Sequence, residues 1–291
     1  MKNPYLIENE QTYQSWRHQK LVDYPRDVDA LVVALQSETV SDAEVEQLLF
    51  NIAKTNMAIY RLPHGHEADK SFVRGLGHKL GLNRLDGNLC ADDDRITSLQ
   101  VVDEGRHSGY IPYTNRRLSW HTDGYYNPLD EQIRAIVMHC VQPAASGGEN
   151  LLLDPEIAYI QLRDENPHYI NVLMDVNAML IPPNIENGEE IRGAQSGPVF
   201  SIDENTDSLH MRYTARTRNI EWANDSVTKQ AVAFINECLT PDNPYVFTHR
   251  LKAGEGVICN NVLHNRTAFE DDADHKRLLY RARYYDRVAN T

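Results

Sequence analysis

Trp120-His121-Thr122-Asp123-Gly124, answered far downstream by Asn260-Asn261-Val262-Leu263-His264, is the stretch that decides how this chain is read. His121 and Asp123 alternate at what reads as a strand end, so a period of two puts both side chains on one face. An isolated His-x-Asp specifies little. A hydrogen-bonded core histidine and a turn aspartate ahead of Gly124 would account for it. His264, at the close of a second apolar strand, shifts that balance. Two imidazoles and one carboxylate on one side of a divalent ion leave its other positions open, as non-haem Fe(II) oxygenases require. Zinc accepts the same ligands, so a zinc-dependent hydrolase stands beside the iron reading.

Around these residues the chain reads as β-structure. Short apolar strands are expected at about 95–103, 118–123, 133–142, 149–153, 176–182, 198–203, 208–213, 245–250, 256–262 and 277–286, with Gly, Pro and Asn between them. Many short strands of this kind predict a mainly β fold with flanking helices and a jelly-roll, or double-stranded β-helix, core. Helical insertions are expected at 155–174 and 225–239. Upstream, Val28, Leu31, Val32 and Leu35 predict a helix over 25–36, and Ser41-Asp42-Ala43-Glu44 is a capping box opening another through Lys54. A strand follows at 57–62 and a helix at 68–82; residues 1–25 read as an arm packed on the domain. Gly75, Gly77 and Gly81 fall inside that helix rather than between a strand and a helix, which argues against a phosphate loop. With no linker or repeat, residues 1–291 read as one domain, mostly helical over 1–94 and jelly-roll over 95–287.

Forty-two acidic against 29 basic residues give a net charge of −13, which argues against nucleic acid and anionic membranes as partners. The expected partner is a small-molecule substrate; the composition leaves a homo-oligomer open. Cys90, Cys140, Cys238 and Cys259 form no CxxC and predict buried free thiols in a reducing compartment. Met1-Lys2-Asn3-Pro4-Tyr5 lacks the apolar core of a signal peptide, and no apolar run approaches the roughly 18 residues that span a bilayer. A cytoplasmic location is expected.

In Lys276-Arg277-Leu278-Leu279-Tyr280-Arg281-Ala282-Arg283-Tyr284, strand alternation places Arg277, Arg281 and Arg283 on one face and Leu278, Tyr280, Ala282 and Tyr284 on the other. Such a row either protects a sheet edge or grips carboxylates in bidentate fashion. Arg212 and Arg216 offer a second basic cluster for an acidic substrate. His64 and His66 fall in a loop, and His139, in an apolar strand, reads as a core histidine. The polar, aromatic run Gly105–Arg117 precedes the first ligands; it reads as a rim or lid with Tyr110, Tyr113 and Asn115 as substrate contacts, or as an ordinary surface loop.

Over roughly residues 95–287 these segments resemble the Fe(II)/2-oxoglutarate-dependent dioxygenases of the taurine dioxygenase family, and are similar to its glutarate hydroxylase and γ-butyrobetaine hydroxylase branches. His121-Thr122-Asp123 and His264 match the metal ligands, and Gly147-Gly148-Glu149-Asn150 matches the Gly-Gly-acidic turn that follows. Gly197-Pro198-Val199-Phe200 with Met211-Arg212-Tyr213 is similar to the glutarate branch. The resemblance implies Fe(II) on His121, Asp123 and His264, with 2-oxoglutarate and O₂ as co-substrates. It puts the distal carboxylate of 2-oxoglutarate on Arg277. Arg281 falls where substrate or the metal-side carboxylate is met, and Arg283 has a counterpart in the glutarate branch. Asn150 stands where taurine dioxygenase-like enzymes carry a threonine, and its amide can donate the same hydrogen bond. The implied reaction is hydroxylation of a small anionic or zwitterionic metabolite (a carboxylate, sulfonate or amino acid) with release of succinate and CO₂. Desaturation or cyclisation with the same cofactors, and an acid-binding β-sandwich without catalysis, are the alternatives. Halogenation is disfavoured because Asp123 is present.

Overall fold

The computed structural model describes residues 2–66, 68–87, 92–102, 110–186 and 188–291. Among them the chain is rich in β-strands and carries six α-helices. Backbone contacts divide it into two units, one of 25–119, 133–152 and 247–291, the other of 1–24, 120–132 and 153–246.

The first of these units holds two sheets. Its principal strands, in chain order, are β1 (Val32–Ala34), β2 (Met57–Arg61), β3 (Thr97–Leu99), β4 (Leu118–His121), β5 (Ala135–Gln142), β6 (Asn150–Leu153), β7 (Phe247–His249), β8 (Glu255–Cys259), β9 (Leu263–Arg266) and β10 (Leu278–Tyr284). The larger sheet runs β1-β2-β8-β5-β10-β3 and the smaller β7-β6-β9-β4. Alternation decides what the larger sheet buries. Ala58 and Tyr60 of β2, Val137 of β5, and Ala282 and Tyr284 of β10 join a core with Leu48 and Ile52 of the helix Asp42–Thr55 and with Phe72, Val73 and Leu76 of the helix Lys70–Lys79. The first of these helices starts where the capping box predicts: the Ser41 amide donates to Glu44 Oε2 at 2.7 Å and Ser41 Oγ accepts from the Glu44 amide at 3.4 Å. Gly77 has a packing reason, since a Cβ there would come within 2.3 Å of Tyr284 Oη.

The stretch 25–36 is not the expected helix. One 3-10 turn, Val28–Leu31, leads straight into β1, which pairs parallel with β2 from Val32 opposite Ile59 to Ala34 opposite Arg61. The ladder hydrogen bonds of a sheet edge outweigh a short apolar stripe whose members include β-branched valines.

In the other unit, residues 10–21 form a helix rather than an irregular arm. Tyr5, Tyr13 and Trp16 pack edge-on or tilted against Tyr159 or one another, with ring centroids 5.0–6.4 Å apart. Buried Lys20 bonds Asp154 Oδ2 at 2.7 Å and also Glu156, so the helix buries a cation only against paired acids. The polar composition of this helix hides it from periodicity. The expected helix over 155–174 is two, Pro155–Glu165 and Pro167–Leu173. Pro167 lacks the amide to continue the first, and Asn166 caps the second by accepting from the His168 amide at 3.0 Å. No helix among the described residues is long and apolar enough to cross a membrane.

Candidate metal centre and carboxylate pocket

His121 closes β4, and Asp123 follows in a turn whose Gly124 has φ +67°. Tyr213 and its neighbours fix that turn. The Thr122 amide donates to the Tyr213 carbonyl and the Tyr213 amide to Thr122 Oγ1, both at 3.0 Å, while the Ala215 amide donates to the Trp120 carbonyl at 2.8 Å. Arg212, fully buried, donates to the carbonyls of Tyr125 at 2.7 Å, Gln195 at 2.8 Å, Met179 at 3.2 Å and Gly197 at 3.4 Å. Burial and the nearby Arg192 charge push its pKa down to about 10. The sequence pattern offered Arg212 as a substrate contact; the structure places its guanidinium on backbone carbonyls behind the metal loop.

The third residue arrives on β9, every residue of which is buried. His264 Nδ1 lies 2.8 Å from the Val262 carbonyl. A carbonyl only accepts, so Nδ1 carries the proton and Nε2 is the nitrogen with the lone pair. His121 Nε2 and Asp123 Oδ1 stand 3.4 Å apart, and one ligand atom from each of His121, Asp123 and His264 lies within 4.8 Å of the others. Two imidazole nitrogens and a carboxylate oxygen, all buried, form a donor set that suits Fe(II) or Zn(II).

A small pocket with a buried arginine lies in the unit of β5, β6 and β10. Arg277, directly before β10, is 5% exposed, and its guanidinium lies 5.1 Å from the Phe269 ring centroid. Burial pushes its pKa down to about 10. Its backbone amide donates to Asp271 Oδ1 at 3.0 Å, but among the described residues no carboxylate bonds its guanidinium. Asn150, Gly148, Cys140 and Arg250 line the same pocket. A buried guanidinium so placed suits a carboxylate ligand. The Gly-Gly turn shapes its wall. Gly147 has φ +70°, and a Cβ on it would meet the Ala268 carbonyl at 2.3 Å. Thr267 Oγ1 accepts from the amides of Gly148 and Glu149 at 3.1 and 3.0 Å and donates to Glu149 Oε2 at 2.6 Å. Those bonds tie the turn to the segment three residues past His264.

The three arginines of the C-terminal row are all buried but differ in surroundings. Arg281 lies in mid-strand, opposite Met138 of β5 and Thr97 of β3. Arg283 pairs with Asp86, its Nε donating to Oδ2 at 2.9 Å, and Tyr285 holds the other oxygen at 2.8 Å. Its charge is taken by the fold.

On the loop before β4, residues 103–109 lie outside the described residues, as does Cys90; Cys140, Cys238 and Cys259 are free thiols. Tyr113 is buried, Tyr110 is 43% exposed, and the Asn115 carbonyl accepts from the Phe269 amide at 3.1 Å. Arg266, which pattern reading missed, donates to the carbonyls of Thr114 at 2.8 Å and Arg116 at 2.6 Å and so fastens this loop to β9. Its position two residues past His264 was the available signal. Arg216 lies over Tyr125, 5.8 Å from the ring centroid, and Arg192, also missed, lies 5.9 Å from that of Tyr126.

The model of the family described as "Taurine catabolism dioxygenase TauD, TfdA family" matches residues 40–283. A uridine-5'-phosphate dioxygenase from Amycolatopsis sp is 30% identical over 187 residues, which cover 62% of this chain and 64% of that protein, so the chain spans a little under two thirds of its relative. AAD-2, solved in complex with Mn(II) and N-oxalylglycine, superposes with a TM-score of 0.61 at 13% identity over 90% of this chain and 96% of its own. PvcB from Pseudomonas aeruginosa gives 0.58 at 15% identity over 88% and 85%. PvcB is described as an Fe, alpha-ketoglutarate dependent oxygenase from an isonitrile synthetic pathway.

Proposed function

This chain belongs to the taurine catabolism dioxygenase TauD, TfdA family, and on that premise we propose that it is an Fe(II)- and 2-oxoglutarate-dependent oxygenase acting on a small anionic metabolite. The observation that carries the proposal is the buried convergence of His121, Asp123 and His264. We read the two sheets as the faces of a double-stranded β-helix core and residues 1–291 as one oxygenase domain. The free thiols support a reducing, cytoplasmic setting.

In this reading His121, Asp123 and His264 hold Fe(II), with the His264 tautomer set by the Val262 carbonyl. Arg277 opposes the distal carboxylate of 2-oxoglutarate and the Asn150 amide donates beside it, in a wall shaped by Gly147 and Gly148. Arg281 takes the second carboxylate role, as its place in the family resemblance implies, while Arg283 pairs with Asp86. Burial around these cations excludes water and strengthens their hold on a carboxylate. When bound, iron with 2-oxoglutarate and O₂ supplies the oxidising power, giving succinate, CO₂ and one oxygen atom for a substrate C–H bond. The name of the Amycolatopsis relative supports a phosphate-bearing member of the anionic substrate class.

Anaerobic calorimetry tests the proposal. The protein is expected to bind about one Fe(II), and then 2-oxoglutarate. Arg277→Ala should weaken 2-oxoglutarate by about ten- to a hundredfold, the loss of one buried charged contact, and leave iron affinity unchanged. Equal 2-oxoglutarate affinity in the variant would remove Arg277 from the role. Substrate turnover that persists without O₂ and 2-oxoglutarate would favour a zinc hydrolase instead.

A further inference from the structure

Iron and 2-oxoglutarate leave part of the basic surface beside the metal loop without a role. Tyr125, two residues past Asp123, is buried and stands edge-on to the His121 ring, with centroids 6.3 Å apart and planes at 83°. Tyr126 meets Tyr125 at 5.2 Å and 82°. These two rings form a wall that continues outward from a metal ligand. Each carries an arginine: Arg216 at 5.8 Å from the Tyr125 centroid and Arg192 at 5.9 Å from that of Tyr126. Arg212, donating to the Tyr125 carbonyl, adds a third positive charge behind them.

Among the described residues no carboxylate bonds any of the three guanidinium groups. Arg192 spends two nitrogens on the Gly193 carbonyl at 2.7 Å and the Pro182 carbonyl at 2.8 Å, which fix its place without neutralising it. Arg216 is exposed and makes no hydrogen bond to a described residue. In a chain of net charge −13, three arginines that bond no carboxylate among the described residues form a local basic cluster. Cations gathered without counter-ions raise the free energy of the empty protein, and an anionic ligand offsets that cost. A monoanion needs one guanidinium. Two of them beside a pair of aromatic rings match a dianion, which takes charge-assisted hydrogen bonds from both guanidinium groups.

We propose that Arg192 and Arg216, flanking the Tyr125–Tyr126 wall next to His121, seat a phosphate monoester group of the substrate. The proposal rests on the oxygenase reading for its meaning, because it says which end of the substrate is held while another faces the metal. Its recognition chemistry is independent of that reading and can fail separately.

Binding is measured by calorimetry on the intact protein, held anaerobic with and without Fe(II) and 2-oxoglutarate. Probes are uridine 5'-monophosphate against uridine, and phenyl phosphate against phenol, benzoate and benzenesulfonate. Each phosphate is expected to bind at least about tenfold more tightly than its parent alcohol or the monoanions. Arg216→Gln and Arg192→Gln should each remove about tenfold of that preference, leaving uridine and 2-oxoglutarate affinities unchanged. Because Arg216 makes no hydrogen bond to a described residue, its variant reads recognition even if Arg192→Gln disturbs the carbonyls it holds. Equal binding of phosphates and parents, a stronger preference for benzoate or benzenesulfonate, or a full preference retained in Arg216→Gln would each overturn the proposal. Failure of the wild-type protein to bind 2-oxoglutarate would instead count against the oxygenase reading, with the phosphate preference still read on the protein alone.

Discussion

His139 and His264 are both buried histidines in strands, yet their nearest partners give them opposite capacities. His264 has Nδ1 committed to a backbone carbonyl and sits in a buried cluster with His121 and Asp123. His139 instead stacks on Tyr60 at an interplanar angle of 4°, its Nδ1 3.0 Å from the Tyr60 hydroxyl. Burial pushes its pKa down from 6.5 to about 4. The sign follows from linkage. With the folded value below the unfolded one, the unfolded chain binds the proton, so the stability contribution is whole above about pH 6.5 and is lost as pH falls toward 4. Its ceiling is roughly 3 kcal/mol. Urea denaturation at pH 7, 6 and 5 is expected to show wild-type protein losing stability more steeply than His139→Gln; parallel losses would mean that His139 is not the group responsible. Pattern reading assigned His139 to the core from its apolar strand and His264 to a metal from its position after another. It did not find Arg192, because a lone arginine in a polar hairpin carries no periodic signal. Nor could it know that Arg283 is taken by Asp86, a partner distant in sequence that only the folded chain brings near.

At the scale of elements, the segment Gly147–Asn150 does the most with the fewest residues. Its positive φ at Gly147, the close Ala268 carbonyl and the Thr267 hydroxyl set where Asn150 begins β6 and hence one wall of the Arg277 pocket. Gly147→Ala would force a Cβ into that carbonyl in a left-handed conformation, at a cost of roughly 1–3 kcal/mol. The expected result is a lower unfolding midpoint and weaker 2-oxoglutarate binding, with a smaller change in Fe(II) affinity, read by denaturation and calorimetry on the same sample. An unaltered 2-oxoglutarate affinity would detach the turn from the pocket. Elements with their own signals were legible: the capping box at Ser41, the alternation of β10 and the apolar run of β5 each stand where the residues place them. The short strand Val32–Ala34 and the polar helix Glu10–Leu21 were not, because one depends on a neighbouring strand's ladder and the other on distant acids that pair its buried lysine.

Across the whole molecule, acidic composition and local basicity coexist: a chain of net charge −13 buries Arg212, Arg266, Arg277, Arg281 and Arg283. An acidic chain can therefore still hold a small anion inside. The order of the residues along the chain, with His121 and Asp123 early, His264 late and the arginine row last, is plain in the sequence, and the fold brings His121, Asp123 and His264 together. Which arginine answers to which carboxylate was not, since alternation assigns a face and only packing assigns a partner. The central claim is that His121, Asp123 and His264 together make this an iron-dependent, 2-oxoglutarate-consuming enzyme. It is tested most directly by succinate formation in air from protein loaded with Fe(II) and 2-oxoglutarate, comparing wild type with His264→Ala of matched thermal stability. The account predicts measurable succinate from the wild type, even without substrate, and a loss of at least about a hundredfold in the variant. Equal succinate from the two proteins would contradict it.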